Sequence, residues 1–134
     1  MKLLLLILVA TIFISSIVKA EVDLRKITAP QRKKCLAETG LTADIIDEAE
    51  IGNFSHDDEL GCYFKCVLEK FNMFTKDGKI NFKMLLMSIP EVWKPLAQDM
   101  VDSCRDITGD DRCKLSYNFN KCLYYANPVA YFIP

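Results

Sequence analysis

Six cysteines constrain this chain more than any other feature: Cys35, Cys62, Cys66, Cys104, Cys113 and Cys122. An even number in a small chain reads as a disulfide framework if the protein is oxidised, and as metal or redox chemistry if it stays reduced. The stretch CYFKC, residues 62–66, sharpens the choice. On a helix its two cysteines lie one turn apart on the same face, as metal ligands, as half of a redox site, or as anchors for two separate disulfides.

The opening residues select the compartment. MKLLLLILVATIFISSIVKA starts with one lysine, runs on as an apolar stretch and ends with Val18 and Ala20 at the small-residue positions. This is the pattern of a secretory signal peptide cut after Ala20, and its apolar part is short for a membrane span. The expected organisation is a signal peptide, residues 1–20, followed by one domain, residues 21–134, that works in an oxidising extracellular fluid. All six cysteines fall in that domain, the only histidine is His56, and no C-x-x-C occurs. Zinc and thioredoxin-like chemistry both lose their ligand pattern. Three disulfides are expected, with no metal and no cofactor, and composition leaves the pairing open.

Charge excludes another class. The chain has 17 Lys and Arg against 18 Asp and Glu; removing Lys2 and Lys19 with the leader leaves a net charge of −3 on the mature domain. A mildly acidic domain has no electrostatic reason to bind nucleic acid or anionic membrane.

The rest of the pattern predicts an all-α domain. Thr28-Ala29-Pro30 suits a helix start with proline in the first turn, and Gly40 closes that helix. Thr42 is expected to cap a short amphipathic piece, ADIIDEAEI, that ends at Gly52-Asn53. Ser55 before HDDE reads as the capped start of the helix that carries CYFKC, with Leu60, Phe64, Val67, Leu68 and Phe71 at three- and four-residue steps. KDGK is a turn, INFKMLLMSI a short apolar helix stopped by Pro90, and Glu91 opens a helix with Trp93, Leu96, Ala97, Met100, Val101 and Cys104 on one side. A last helix covers roughly residues 110 to 125. The chain then finishes on NPVAYFIP. Each large apolar side chain left in water there would forfeit about 1.5–3 kcal/mol of burial, so the tail is expected to fold back onto the body.

If CYFKC is helical, a bond between Cys62 and Cys66 would oppose the helix geometry, and the pair instead reaches out to two neighbouring helices. The spacing Cys35-x26-Cys62-x3-Cys66-x37-Cys104-x8-Cys113-x8-Cys122, behind a signal peptide, resembles the insect odorant-binding proteins of the pheromone-binding and general odorant-binding family. CYFKC, KDGKIN, SIPE and SCRD resemble that family's local wording as well. The resemblance implies six helices, bridges Cys35–Cys66, Cys62–Cys113 and Cys104–Cys122, and an internal apolar cavity that carries a small volatile or lipid-like molecule through aqueous fluid such as sensillum lymph or a gland secretion. It also implies that YFIP folds inward as a wall or lid.

Helix phase and the resemblance together nominate Leu68, Met73, Ile80, Met84, Met87, Leu96, Met100, Phe119, Leu123, Tyr131, Phe132 and Ile133 as the ligand-binding lining. Where some family members place Ser or Thr, this chain has Leu68 and Met73, which favours larger apolar ligands over small alcohols. Methionine tolerates irregular partners, as a variable ligand requires. Tyr117, Tyr124, Tyr125 and Tyr131 are candidate partners for a ligand carbonyl or hydroxyl. Loosening of the tail at low pH would release the ligand to a chemosensory receptor or a membrane surface; the carrier is expected as a monomer or weak homodimer.

Other constellations are weaker. His56 in SHDDE lies among charges at a helix start and reads as a solvated residue, and the acid pairs Asp57-Asp58 and Asp110-Asp111 serve helix dipoles, so no catalytic residue is nominated. A saposin-like lipid-interacting protein shares the size and cysteine number but calls for different spacing and a basic face. A secreted phospholipase would need a His-Asp pair and a calcium loop. Asn53-Phe54-Ser55 is an acceptor sequon for N-glycosylation, although the plainer role for Ser55 is the helix cap.

Overall fold

The computed structural model describes the backbone of all 134 residues and the side chains of residues 1–15 and 24–134. Six α-helices follow one another: α1 (Lys2–Thr39), α2 (Ala43–Glu50), α3 (Asp57–Lys70), α4 (Phe82–Ser88), α5 (Lys94–Ser103) and α6 (Arg112–Ala126), with a 3₁₀ turn at Glu91–Trp93 before α5. The all-α class and the inward tail are as expected.

Several boundaries follow their local chemistry. Asp111 and Asn81 accept from the backbone N–H of Lys114 and Met84, capping α6 and α4. Gly40 ends α1 in the left-handed region at φ 73°, where a side chain would strain the backbone. Pro95 sits in the first turn of α5, where its missing N–H costs nothing.

Two expected starts are corrected. Helix α1 does not begin at Thr28; it runs straight through Pro30, and the Thr28 hydroxyl donates back to the Leu24 carbonyl at 2.8 Å instead of capping. The upstream turns carry the helix past the proline. Ser55 does not cap α3 either: the helix starts one residue later, from His56 in the left-handed region at φ 61°, with no side-chain cap. Three carboxylates in the first turn of α3, Asp57, Asp58 and Glu59, meet the dipole instead. Lys114 of α6 lies 3.0 Å from Asp57 and holds its carboxyl below the usual carboxylate range, tying the two helix starts together. Thr42 occupies the N-cap position of α2, yet its hydroxyl makes no capping bond.

The three disulfides join Cys35 to Cys66, Cys62 to Cys113 and Cys104 to Cys122. CYFKC therefore anchors α3 to α1 on one side and to α6 on the other. Helices α3 and α6 form the most extensive pair, and their backbones approach closely at Gly61, where an added Cβ would stand 2.5 Å from the Cys113 carbonyl oxygen.

Two apolar cores result. One gathers Cys35, Ile46, Ala49, Leu60, Tyr63, Phe64, Val67, Tyr131 and Ile133 around α1, α2, α3 and the tail. The other gathers Leu68, Met73, Ile80, Val101, Cys104 and Phe119. Between them the packing is left open.

An apolar cavity between two cores

The opening between the cores is a cavity of about 300 Å³. Its wall draws on both cores: Phe64, Val67 and Leu68 from α3, Met100 and Val101 from α5, Phe119 and Leu123 from α6, and Met73 from the loop after α3. Helix α1 adds Leu24, Ile27 and Thr28, the α4–α5 segment adds Leu85, Ser88, Ile89, Pro90 and Trp93, and the tail adds Val129, Ala130, Tyr131, Phe132 and Pro134. Ile27 and Val129 belong to this wall while being 63% and 95% exposed, which places them at its mouth.

Eight of the twelve residues nominated from the sequence stand in the wall: Leu68, Met73, Leu96, Met100, Phe119, Leu123, Tyr131 and Phe132. The other four stand elsewhere. Ile80 is held in a hairpin-like bridge with Phe74 and buried in the second core, and Ile133 is buried in the first. Met84 and Met87 face solvent, 41% and 65% exposed, while their chain neighbours Leu85 and Ser88 take the wall. Helix α4 is only seven residues long and carries Met84-Leu85-Leu86-Met87 in a row. Four consecutive apolar residues fit more than one helical phase, so periodicity could not orient it. Truncating Leu85 to Ala is accordingly expected to weaken binding of an apolar fluorescent reporter several-fold, whereas Met87→Ala leaves it nearly unchanged; equal losses in a titration would mean that α4 is turned the other way.

The contribution of α1 was missed because its cavity residues lie upstream of the expected helix start. Leu24 and Ile27 sit one helical step apart on the face that continues to Cys35, a signal that the proline obscured.

The tail is fixed by named contacts. Asn127 Oδ1 accepts from the backbone N–H of Val129 and Ala130, turning the chain after α6. The Tyr131 hydroxyl donates to Asn120 Oδ1 at 3.2 Å, and the Tyr63 hydroxyl donates to the backbone oxygen of Pro134 at 2.6 Å. Arg25, which also bonds Glu50 at 2.7 Å, lies over the Phe132 ring at 4.9 Å. Phe54, Tyr124 and Tyr131 form an aromatic cluster behind the tail. Burial pushes the Tyr63 hydroxyl up to about 12, against a smaller opposing effect of Arg32, and burial likewise pushes Tyr131 well above its usual value. Both therefore remain donors throughout the neutral and acid range.

Of the four tyrosines considered as ligand partners, Tyr131 alone lines the cavity. Tyr117 donates to the Phe54 carbonyl, Tyr124 donates to that of Ile51, and Tyr125 is 68% exposed. Other wall side chains with a polar atom are Thr28, Ser88, Asn120 and Trp93, whose buried indole N–H has no hydrogen-bond partner among the described residues. The two hydroxyls donate to carbonyls of their own helices, and Asn120 Nδ2 donates to the Ser116 carbonyl at 2.9 Å, which leaves one amide N–H beside the Tyr131 oxygen. Among the described residues no group of three His, Cys, Asp or Glu is placed to hold a metal, and no helix is long and apolar enough to cross a membrane.

Comparison with known proteins gives a consistent result. Residues 19–126 match the PBP/GOBP family. General odorant-binding protein 69a of Drosophila melanogaster is 28% identical over 97 residues, covering 72% of this chain and 66% of that protein. Among solved structures, odorant binding protein 5 of Apis mellifera superposes with a TM-score of 0.77 at 27% identity, covering 86% of this chain and 98% of that one. Odorant binding protein 4 of Chrysopa pallens superposes with a TM-score of 0.75 at 29% identity, covering 85% and 98%. With residues 19–126 matching the family over most of its length, the chain belongs to the PBP/GOBP family.

Proposed function

We propose that this protein is a secreted carrier that takes a small hydrophobic molecule into the cavity and holds it in aqueous fluid. The observation that carries the reading is the cavity itself, walled almost entirely by apolar side chains from five α-helices, the 3₁₀ turn, connecting loops and the tail. Its volume of about 300 Å³ lies at the lower end of small-molecule sites. The occupant is a volatile or lipid-like molecule with an apolar body and at most one hydrogen-bonding group, which Asn120 and Tyr131 would receive. The twelve residues nominated from the sequence divide accordingly: the eight in the wall are proposed contacts, and Ile80, Met84, Met87 and Ile133 are not. No residue is proposed as catalytic.

Secretion is supported at the other end of the chain. Residues 3–9, 13 and 14 are apolar and more than half exposed, an arrangement that suits a leader to be removed and not a part of the working domain. The proposed cleavage after Ala20 falls within residues 16–23, outside the described side chains.

Acid-triggered release is the second part of the proposal. The tail is tied by the Tyr63 hydroxyl to the backbone oxygen of Pro134, and burial keeps that hydroxyl protonated throughout the neutral and acid range. The charged contact beside the tail is the ion pair of Glu50 with Arg25, whose guanidinium lies over the Phe132 ring, and release would run through it. Loosening that pair frees Arg25 from the Phe132 ring and with it this side of the tail. Because the folded Tyr63 value is raised, the stability it contributes is complete below pH 10 and is lost as pH rises toward 12, the opposite end from release.

Displacement of a fluorescent apolar reporter from the oxidised domain, residues 21–134, by long-chain alcohols, esters, terpenoids and fatty acids tests both parts. Saturable one-to-one binding is expected at pH 7, weaker at pH 5 on the order of tenfold, the equivalent of one charge-assisted hydrogen bond. A folded protein that binds none of them, or that makes anionic vesicles leak, would replace the carrier by a membrane-active protein. Equal affinity at both pH values would remove the release step and leave the carrier.

A further inference from the structure

The α2–α3 loop contains a motif for which the fold provides no other use. In Asn53-Phe54-Ser55 the serine would serve a purely structural purpose if it capped α3, but the cap position belongs to His56, and the Ser55 hydroxyl has no hydrogen-bond partner among the described residues. The segment is neither helix nor turn, and its exposure alternates: Asn53 and Ser55 are exposed, and Phe54 between them is half-buried. In extended chain, residues two apart project to the same side. The inward side is held by Phe54, whose ring packs edge-on against Tyr117 and Tyr124 and whose carbonyl accepts from the Tyr117 hydroxyl at 2.8 Å. Asn53 and the serine hydroxyl two residues on are thus presented together, outward, by a rigid aromatic anchor.

From this geometry we infer that Asn53 carries an N-linked glycan, which makes the loop a modification site on the face remote from the ligand. The inference rests on the proposed secretion, since the transfer occurs only in the secretory pathway. The donor is a lipid-linked oligosaccharyl diphosphate: a bond forms between Asn53 Nδ2 and the anomeric carbon of the first sugar, the bond from that carbon to the diphosphate oxygen breaks, and the amide gives up one proton as the lipid diphosphate leaves.

The folded structure accommodates the product. Asn53 Nδ2 donates to Glu48 Oε2 at 2.9 Å, and a glycosylated amide keeps one N–H with which to retain that bond. The Asn53 backbone N–H is committed to the Glu48 carbonyl at 2.9 Å and does not take part. No residue between 29 and 63 lines the cavity, so the sugar neither blocks the mouth nor touches the wall. A bulky hydrophilic group on a small acidic carrier raises solubility and covers the loop against proteolysis.

Expression of the full chain in a secreting insect-cell line, followed by intact mass measurement before and after treatment with a peptide N-glycosidase, which hydrolyses the bond between the asparagine carbonyl and the glycosylated nitrogen, tests the inference. The secreted protein should begin at Glu21 and be heavier than its polypeptide by one N-glycan, and enzymatic release should leave aspartate at position 53. Asn53→Gln and Ser55→Ala should each abolish the added mass, Ser55→Thr should retain it, and Asn53→Gln should leave reporter affinity unchanged. A secreted protein that begins at Glu21 and has the bare polypeptide mass would overturn the glycan and leave secretion standing. Added mass that persists in Asn53→Gln would place the modification elsewhere and equally overturn it. A chain that stays inside the cell with its leader intact would refute secretion and the glycan together.

Discussion

Deleting residues 129–134 is expected to weaken binding of an apolar reporter by at least tenfold at pH 7 and to flatten the difference between pH 7 and pH 5. Five of the six deleted residues are in the cavity wall, the mouth residue Val129 among them. Buried Tyr131 and Ile133 are 7% and 1% exposed, and each contributes about 1.5–3 kcal/mol of burial, so the truncated protein should also be less stable by several kcal/mol. The helices should persist, because none of the three disulfides involves the tail and each stabilises by about 2–4 kcal/mol. Circular dichroism separates loss of fold from loss of wall. An unchanged affinity at both pH values in a well-folded truncate would show that the tail is neither wall nor lid.

Gly61→Ala is the second large effect, and it acts far from the tail. The new methyl would lie 2.5 Å from the Cys113 carbonyl oxygen, 3.0 Å from its carbonyl carbon and 3.2 Å from the Tyr117 Cβ. Two of those atoms are backbone and cannot rotate away. The Cys62–Cys113 bridge holds the two Cα atoms 4.4 Å apart at the same place, so α3 and α6 cannot separate to make room. Overpacking of this kind costs about 1–3 kcal/mol and at a doubly fixed contact should reach the top of that range. Urea unfolding of the oxidised protein should show a clearly lower midpoint with an unchanged slope. Gly40→Ala is the control: nothing stands within 4 Å of its added Cβ, and only the left-handed backbone resists it, at about 1 kcal/mol. If Gly61→Ala were no worse than Gly40→Ala, the close approach of α3 and α6 would be wrong.

These two sites differ in how visible they were. The tail announced itself through five apolar residues at a chain end, where solvation would leave burial energy unused. Gly61 gave no sign. It lies inside a helix, where glycine ordinarily lowers propensity, and its value comes only from the neighbour that crosses it. The wall residues of α3, α5 and α6 were legible because those helices are ten to fifteen residues long and repeat their apolar positions enough times to fix a phase. Helix α4, with fewer than two turns of unbroken apolar sequence, had no phase to read. Leu24 and Ile27 were hidden by Pro30, because a proline signals a start only where no upstream turns already carry the helix.

By itself, then, the sequence determined the helical class and the fate of the tail, because each follows from local geometry or from the free energy of leaving apolar groups in water, while the cysteine pairing came from the family resemblance. The tertiary structure alone decided that two cores stand apart and leave a cavity between them, which residues of α1 and α4 close it, which tyrosine lines it, and that Ser55 does not cap the helix it precedes. Those depend on which distant segments arrive opposite one another, and a chain's local periodicity carries the phase of each helix without the identity of its neighbour.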